Sequence, residues 1–217
     1  TDAMLEVQSA LGGQNAFQVM NTHTSLPQFV RFQATAAAPD NNSQTYIYTD
    51  DNTGAARFIV WTDGDCDNHD NSYGATSDER IKQDITDANS QWDDIKALRV
   101  RNFKKKDDVA QYGNEAWTQI GVVAQEVEQV SPYLLNHITP SQFELEHCGF
   151  GEQNEDGEWV VKQDEDGNDM TVKSMKYSVL YMKSVKALQE AMARIETLET
   201  ENTALKTRMD ALEARVL

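Results

Sequence analysis

The sequence predicts an elongated α+β protein in three parts: a β-rich segment over residues 1–76, a small mixed α/β domain over 77–176, and a C-terminal coiled-coil helix over 177–217. Three observations carry this reading. Short apolar runs separated by turn residues fill residues 1–70, with the length and spacing of strands. After Lys82 the apolar period lengthens to that of helices. From Ser174 to Leu217 there is neither glycine nor proline, and apolar residues recur at alternating spacings of 3 and 4.

A chain of 217 residues is long enough for one large domain or two small ones. Its apolar fraction of 39% and mean hydropathy of −0.64 are low for a globular protein, which suits a molecule that hides apolar surface between subunits. A net charge of −17 argues against non-specific binding to nucleic acid or an anionic membrane, both of which need a basic surface. No run approaches the roughly 18 apolar residues of a membrane span. Thr1 to Met4 lacks the basic start of a signal peptide, and the reading is of an excised fragment. Cys66 and Cys148 lie far apart without a C-x-x-C partner, so no disulfide framework is expected, and folding in a reducing cytosol is the simpler reading.

In the first segment, residues 16–20, 29–32, 45–48 and 56–61 have the β-branched and aromatic content of strands. Turn chemistry separates them at 12–13, 39–42, 50–54 and 63–64. A meander this short cannot bury both of its faces, and its edges would stay open. Strands contributed by several chains solve both problems, so the segment is expected to be interwoven and oligomeric. The acidic run from Asp63 to Asp70 alternates Asp63, Asp65 and Asp67 like the start of a calcium loop. It lacks the glycine at the sixth position and the glutamate at the twelfth, where Gly74 stands, and is expected to be a solvated turn with no metal. No cofactor motif occurs.

Beyond Lys82, Asp87 or Asn89 is placed to cap a helix over 91–98, with Trp92 and Ile95 on one face. Residues 100–106 read as a short strand ending in Lys104, Lys105 and Lys106, a basic end too short for a nucleic-acid patch in so acidic a chain. Residues 120–130 begin as a strand and become a helix, with Val123, Val127, Val130 and Leu134 as one stripe that Pro132 closes. Asn154 to Gly157 and Asp164 to Asp169 are hairpin tips, the second expected to join strands at 159–161 and 170–172.

The C-terminal seam is Leu188, Ala191, Ile195, Leu198, Asn202, Leu205, Met209, Leu212 and Val216, an a/d pattern over about four heptads. Asn202 occupies an a position, where a polar side chain fixes register at a cost in stability and leans toward two strands. Arg194, Glu199, Glu201, Lys206, Arg208 and Glu213 flank the seam as pairing charges. A parallel coiled coil at one end would bring several chains into register, as an interwoven β-segment requires.

One constellation has a claim to catalysis, Ser77-Asp78-Glu79-Arg80-Ile81-Lys82. None of the four histidines (His23, His69, His137, His147) sits in a triad-like setting, and the base nearest Ser77 in sequence is Lys82. A free lysine has a pKa of about 10.4, so roughly one in a few thousand is neutral at pH 7. Arg80 is a candidate for lowering that value, whereas Asp78 and Glu79 act the other way unless they point outward or pair with Arg80. A spacing of five puts the two side chains on different faces of a helix or strand. They can meet only across a turn, an irregular segment or a subunit boundary. On spacing alone the pair is a capping Ser-Asp ahead of an ordinary surface lysine.

The stretch 71–82, with Tyr73-Gly74 followed by Ser77-Asp78-x-Arg80-x-Lys82, resembles the opening of the S74 peptidase family, the intramolecular chaperone at the end of phage tailspikes, tail fibres and endosialidases. A second block, Gly121-Val122-Val123-Ala124-Gln125-Glu126-Val127 with Pro132 shortly after, and a terminal helix from Tyr177 to Leu217 resemble the same family in the same order. The resemblance covers residues 71–217 and implies a homotrimer that templates folding of the preceding β-segment. It then releases itself by cutting the chain at Ser77, with Ser77 as nucleophile and Lys82 as general base. The bond cut would be Thr76–Ser77 or Ser77–Asp78, with Thr76, Asp78 and Arg80 as supporting residues. Such a protein is made in the host cytoplasm and carried in the virion tail. Two other classes compete: an uncleaved cap that holds the trimer together, and a receptor-binding tip in which Tyr46, Tyr48 and Trp61 contact a host surface glycan. Packing between strands is the plainer role for those aromatics.

Overall fold

The computed structural model describes residues 17–20, 30–34 and 37–215. The chain is mixed α/β, with small antiparallel sheets and a long C-terminal helix, and it divides into two compact units, Thr1–Gln83 and Asp84–Leu217.

In the first unit a three-stranded meander runs β1 (Thr45–Asp50), β2 (Ala56–Trp61), β3 (Cys66–Asn68), in that spatial order. Ile47 faces Val60, Tyr48 faces Ile59 and Thr49 faces Phe58. The β1–β2 turn is built on Asp51. Its Oδ1 accepts the Thr53 N–H at 2.9 Å and the Thr53 hydroxyl at 2.5 Å, and its carboxylate pairs with Arg57. The return from β2 uses Gly64, whose φ of 92° favours a residue without Cβ.

Two of the four expected strands form in this unit. The described parts of the others, 17–20 and 30–32, are not strands, and Ala16 and Phe29 lie outside the described residues. Among the described residues the sheet has three strands, and Phe17, Met20, Val30 and Phe32 are exposed. The acidic run is also more ordered than expected. Its middle forms β3, with Val60 facing Cys66 and Ile59 facing Asp67, and the Trp61 indole donates to Asp67 Oδ2 at 2.7 Å.

The second unit collects its elements around a small core of Val127, Leu134 and Leu135, backed by Leu98, Val122, Ala124, Met175 and Leu180. In order the elements are α1 (Trp92–Ala97), β4 (Arg101–Phe103), α2 (Lys106–Tyr112), β5 (Gln119–Gly121), α3 (Ala124–Glu128), β6 (Leu135–Ile138), α4 (Gln142–His147), β7 (Gly151–Gln153), β8 (Trp159–Val161), β9 (Val172–Met175) and α5 (Tyr177–Glu213). Three ladders result: β4 with β5, β6 with β9, and β7 with β8.

The strand-to-helix passage expected at 120–130 is β5 followed by α3. The helix stops at Glu128, so the stripe spans more than one element. Val127 and Leu134 are buried, Leu134 from a 3₁₀ turn opened by Pro132, whereas Val123 is the exposed residue preceding α3. The helix expected at 91–98 is α1, but neither Asp87 nor Asn89 caps it. Gln91 stands at the cap without a side-chain capping bond, its Nε2 donating instead to Asn89, and its backbone N–H is met by Glu190 Oε1 of α5 at 3.3 Å. Lys106 belongs to α2 instead of a strand end. The hairpin at 154–157 joins β7 to β8. The turn at 164–169 is present, closed by a bridge between Gln163 and Asp169, but the strand after it pairs with β6 and not with β8.

Helix α5 has 37 residues and is therefore about 55 Å long. Its first turns pack on the core through Leu180 and Ala187. From Met192 to Arg215 every residue is exposed. No helix among the described residues is long and apolar enough to cross a membrane. Cys66 and Cys148 are free.

Candidate active site

Two hydrogen bonds and one left-handed residue shape the approach to Ser77 in the first unit. Ser72 N–H donates to Asn68 Oδ1 at 3.0 Å, the Tyr73 hydroxyl donates to the Cys66 carbonyl at 2.8 Å, and Asn71 takes a left-handed φ of 50° that asparagine tolerates. The chain then passes without regular structure through Thr76 and Ser77, and from an extended Asp78 into a single 3₁₀ turn, Glu79–Ile81.

That turn resolves the spacing problem. Asp78 is its N-cap: Oδ1 accepts the Arg80 N–H at 2.9 Å, and the Asp78 carbonyl accepts the Ile81 N–H at 3.2 Å. At the other end the Lys82 N–H bonds the Glu79 carbonyl at 3.0 Å, and Lys82 returns to extended geometry. Residues five apart are thereby folded toward each other within one chain. Lys82 Nζ donates to Ser77 Oγ at 2.6 Å.

The flanking charges are paired. Arg80 Nε donates to Asp78 Oδ1 at 2.9 Å and Nη2 to Oδ2 at 2.6 Å. The guanidinium and the capping N–H together hold the Asp78 carboxyl down to about 2. In return the carboxylate raises the Arg80 pKa. Arg80, singled out from the sequence as a cation that acts on Lys82, thus spends its charge on Asp78.

Chemically, a charged amine donating to a hydroxyl is a resting arrangement. Activation of Ser77 needs the reverse bond, with a neutral Nζ accepting the hydroxyl proton. Both side chains are exposed in this unit. His69 Nδ1 is bonded to Asp70 at 2.6 Å and His137 Nδ1 to Thr171 at 2.8 Å. Among the described residues no cluster of His, Cys, Asp or Glu has the arrangement of a metal site.

The second block singled out from the sequence owes its residues to packing. Gly121 lies where a Cβ would meet Phe103 Cε1 at 3.2 Å and the Tyr177 hydroxyl at 3.3 Å. Glu126 accepts from Arg99 at 3.2 Å and from Arg101 at 3.0 and 2.5 Å, which lowers its pKa and ties α3 to β4. Val127 fills the core. The predicted seam residues lie on α5: Leu188, Ile195, Leu198, Leu205, Met209 and Leu212 are each more than half exposed, and Asn202 is exposed beside them. Val216 lies outside the described residues.

Residues 77–136 match the model of the Peptidase_S74 family, described as the chaperone of endosialidase. The matched segment begins at Ser77 and contains both the 3₁₀ turn and the Gly121–Val127 block. Among solved structures, one described as the crystal structure of a novel intramolecular chaperone covers 54% of this chain and 99% of its own, at 21% identity and a TM-score of 0.36. An overlap that loose carries no argument about function. No curated protein matches the sequence.

Proposed function

We propose that this chain is the C-terminal intramolecular chaperone of a phage tail fibre or spike, which trimerises, templates the preceding β-segment and then frees itself by autoproteolysis at Ser77. The observation that carries the reading is the 2.6 Å contact between Lys82 Nζ and Ser77 Oγ at the first residues of the segment matched by the family model.

Assembly accounts for the bare end of α5. Each Leu, Ile or Met side chain withdrawn from water contributes about 1.5–3 kcal/mol, so covering the seam outweighs the cost of Asn202 at one a position. In that register Arg194, Glu201 and Arg208 take g positions, and Glu199, Lys206 and Glu213 take e positions. In a parallel assembly Arg194 meets Glu199 of a second copy, Glu201 meets Lys206, and Arg208 meets Glu213. All three contacts join opposite charges, which supports parallel, in-register chains. The family resemblance favours three of them. The exposed face of β1 with Tyr46 and Tyr48 is then surface for neighbouring chains to cover.

The reaction conserves its atoms. Neutral Lys82 Nζ takes the Ser77 hydroxyl proton as Oγ bonds the Thr76 carbonyl carbon. The proton passes to the Ser77 nitrogen as the Thr76–Ser77 amide breaks, and water hydrolyses the resulting ester to give a Thr76 carboxylate and a new N-terminus at Ser77. Attack on the preceding carbonyl passes through an unstrained ring, whereas attack of Ser77 on its own carbonyl would form a strained β-lactone. Thr76–Ser77 is therefore the bond we assign. Loss of the template makes the step one-way and traps the assembled fibre kinetically.

A denaturing gel of the folded wild-type chain beside Ser77→Ala and Lys82→Ala tests the reading. Two fragments in the wild type alone support it. A full-length wild-type trimer would leave the domain a permanent cap, and glycan binding by the β-segment alone would favour a receptor tip.

A further inference from the structure

The sequence places two carboxylates, Asp78 and Glu79, beside a lysine that must lose its proton to act as a base. A carboxylate near an ammonium stabilises the charged form and works against that role. In the structure the nearer of the two in sequence to Ser77 is fully engaged elsewhere. Asp78 accepts three bonds, all from Arg80: its N–H at 2.9 Å, Nε at 2.9 Å and Nη2 at 2.6 Å. Among the described residues Lys82 makes no ion pair; its partner is the Ser77 hydroxyl.

We infer that Arg80 and Asp78 are positioning residues for Lys82: Arg80 captures the Asp78 carboxylate, so that the amine faces the Ser77 hydroxyl and not an anion. The pair is neutral as a unit, and each member cancels the other's influence on the amine. The remaining charges of the segment are Glu79 on the turn itself and Asp84 beyond it, and among the described residues no strand of the unit packs extensively on the turn. The consequence for chain cutting rests on the proposed self-cleaving reading; the charge relationship does not.

Opposite signs are the signature. Arg80→Gln releases the Asp78 carboxylate toward Lys82 and raises its pKa. Asp78→Asn keeps a side chain that caps well, leaves Arg80 uncompensated, and lowers it. Both displacements are electrostatic and shrink as salt is added. A turn that merely unfolds would send both variants in one direction.

The first readout is the protonation of Lys82 itself, followed by competitive acetylation across pH with mass analysis of the Lys82 peptide. It uses the full chain carrying Ser77→Ala, with and without each substitution. Midpoints moving alkaline for Arg80→Gln and acid for Asp78→Asn support the inference; coincident midpoints, or both moving one way, overturn it. The second readout is the pH profile of cleavage during refolding of the Ser77 chain, where the same displacements are expected. Displaced amine midpoints with no cutting at any pH would uphold the charge relationship and remove the self-cleaving reading. Cutting with undisplaced midpoints would do the reverse.

Discussion

Lys183 Nζ on α5 lies 2.7 Å from Asp94 Oδ2 on α1, joining residues 89 positions apart. Around this pair the Ser90 hydroxyl donates to Glu190 Oε2 at 3.0 Å, and the Arg194 guanidinium sits 5.2 Å from the centre of the Trp92 ring. The contacts fix the base of the long helix to the small core, so any force transmitted along α5 acts on a braced element.

The brace has a pH signature. The Lys183 bond is the largest cause holding the Asp94 carboxyl below its ordinary range. A depressed carboxylate contributes stability that is complete above the unfolded value of about 3.9 and is lost as pH falls through the folded one. Lys183→Ala is expected to cost about 1 kcal/mol at pH 7, since the Asp94 side chain is partly exposed. In denaturant melts the gap between variant and wild type should close on acidification toward pH 3. A gap that persists unchanged there would mean that Lys183 acts through its aliphatic stem.

Two glycines should respond differently to alanine. A Cβ at Gly151 would stand 2.8 Å from Leu145 Cβ and 2.8 Å from the Leu145 carbonyl oxygen, so α4 and β7 must separate. Gly151→Ala is expected to destabilise by about 1–3 kcal/mol. At Gly121 the contacts are longer, 3.2–3.4 Å, and with the side chains of Phe103 and Tyr177 only, so Gly121→Ala should cost less. Urea melts of the two variants rank them directly.

The charges beside the seam can be exchanged. Glu201→Lys would set two lysines against each other across a parallel interface and lower the melting temperature of the assembly. Adding Lys206→Glu to it should restore most of the loss, although each exposed pair is worth under about 1 kcal/mol. Circular dichroism melts with sedimentation analysis read both effects. A double variant no better than the single would argue against parallel, in-register chains.

How far these features were legible follows from which forces act locally. β1, β2, the 154–157 turn, the passage from β5 into α3 and the unbroken α5 all announce themselves through periodicity or turn residues within one window. The acidic stretch hid β3 because only Cys66 in it is apolar, and its partner strand β2 decides its conformation. Helix α2 begins Lys106-Asp107-Asp108 and carries too few apolar residues for a stripe. The capping box of α4, in which Ser141 and Glu144 exchange bonds, has a local signal in Ser-x-x-Glu. The pairing of β9 with β6, which sets Leu135 opposite Met175, is long-range and has no local signal. At the site, neither regular period brings residues five apart together. The Asp78-capped turn does so, and its sequence signal was an aspartate placed just before a polar turn.

Self-cleavage is tested most directly by the intact mass of the purified wild-type chain, folded and then dissolved in denaturant. The expected result is two species that sum to the full chain plus one water, the larger beginning at Ser77, with Ser77→Ala and Lys82→Ala remaining whole. A wild-type chain of full mass, trimeric and indistinguishable from both variants, would contradict it.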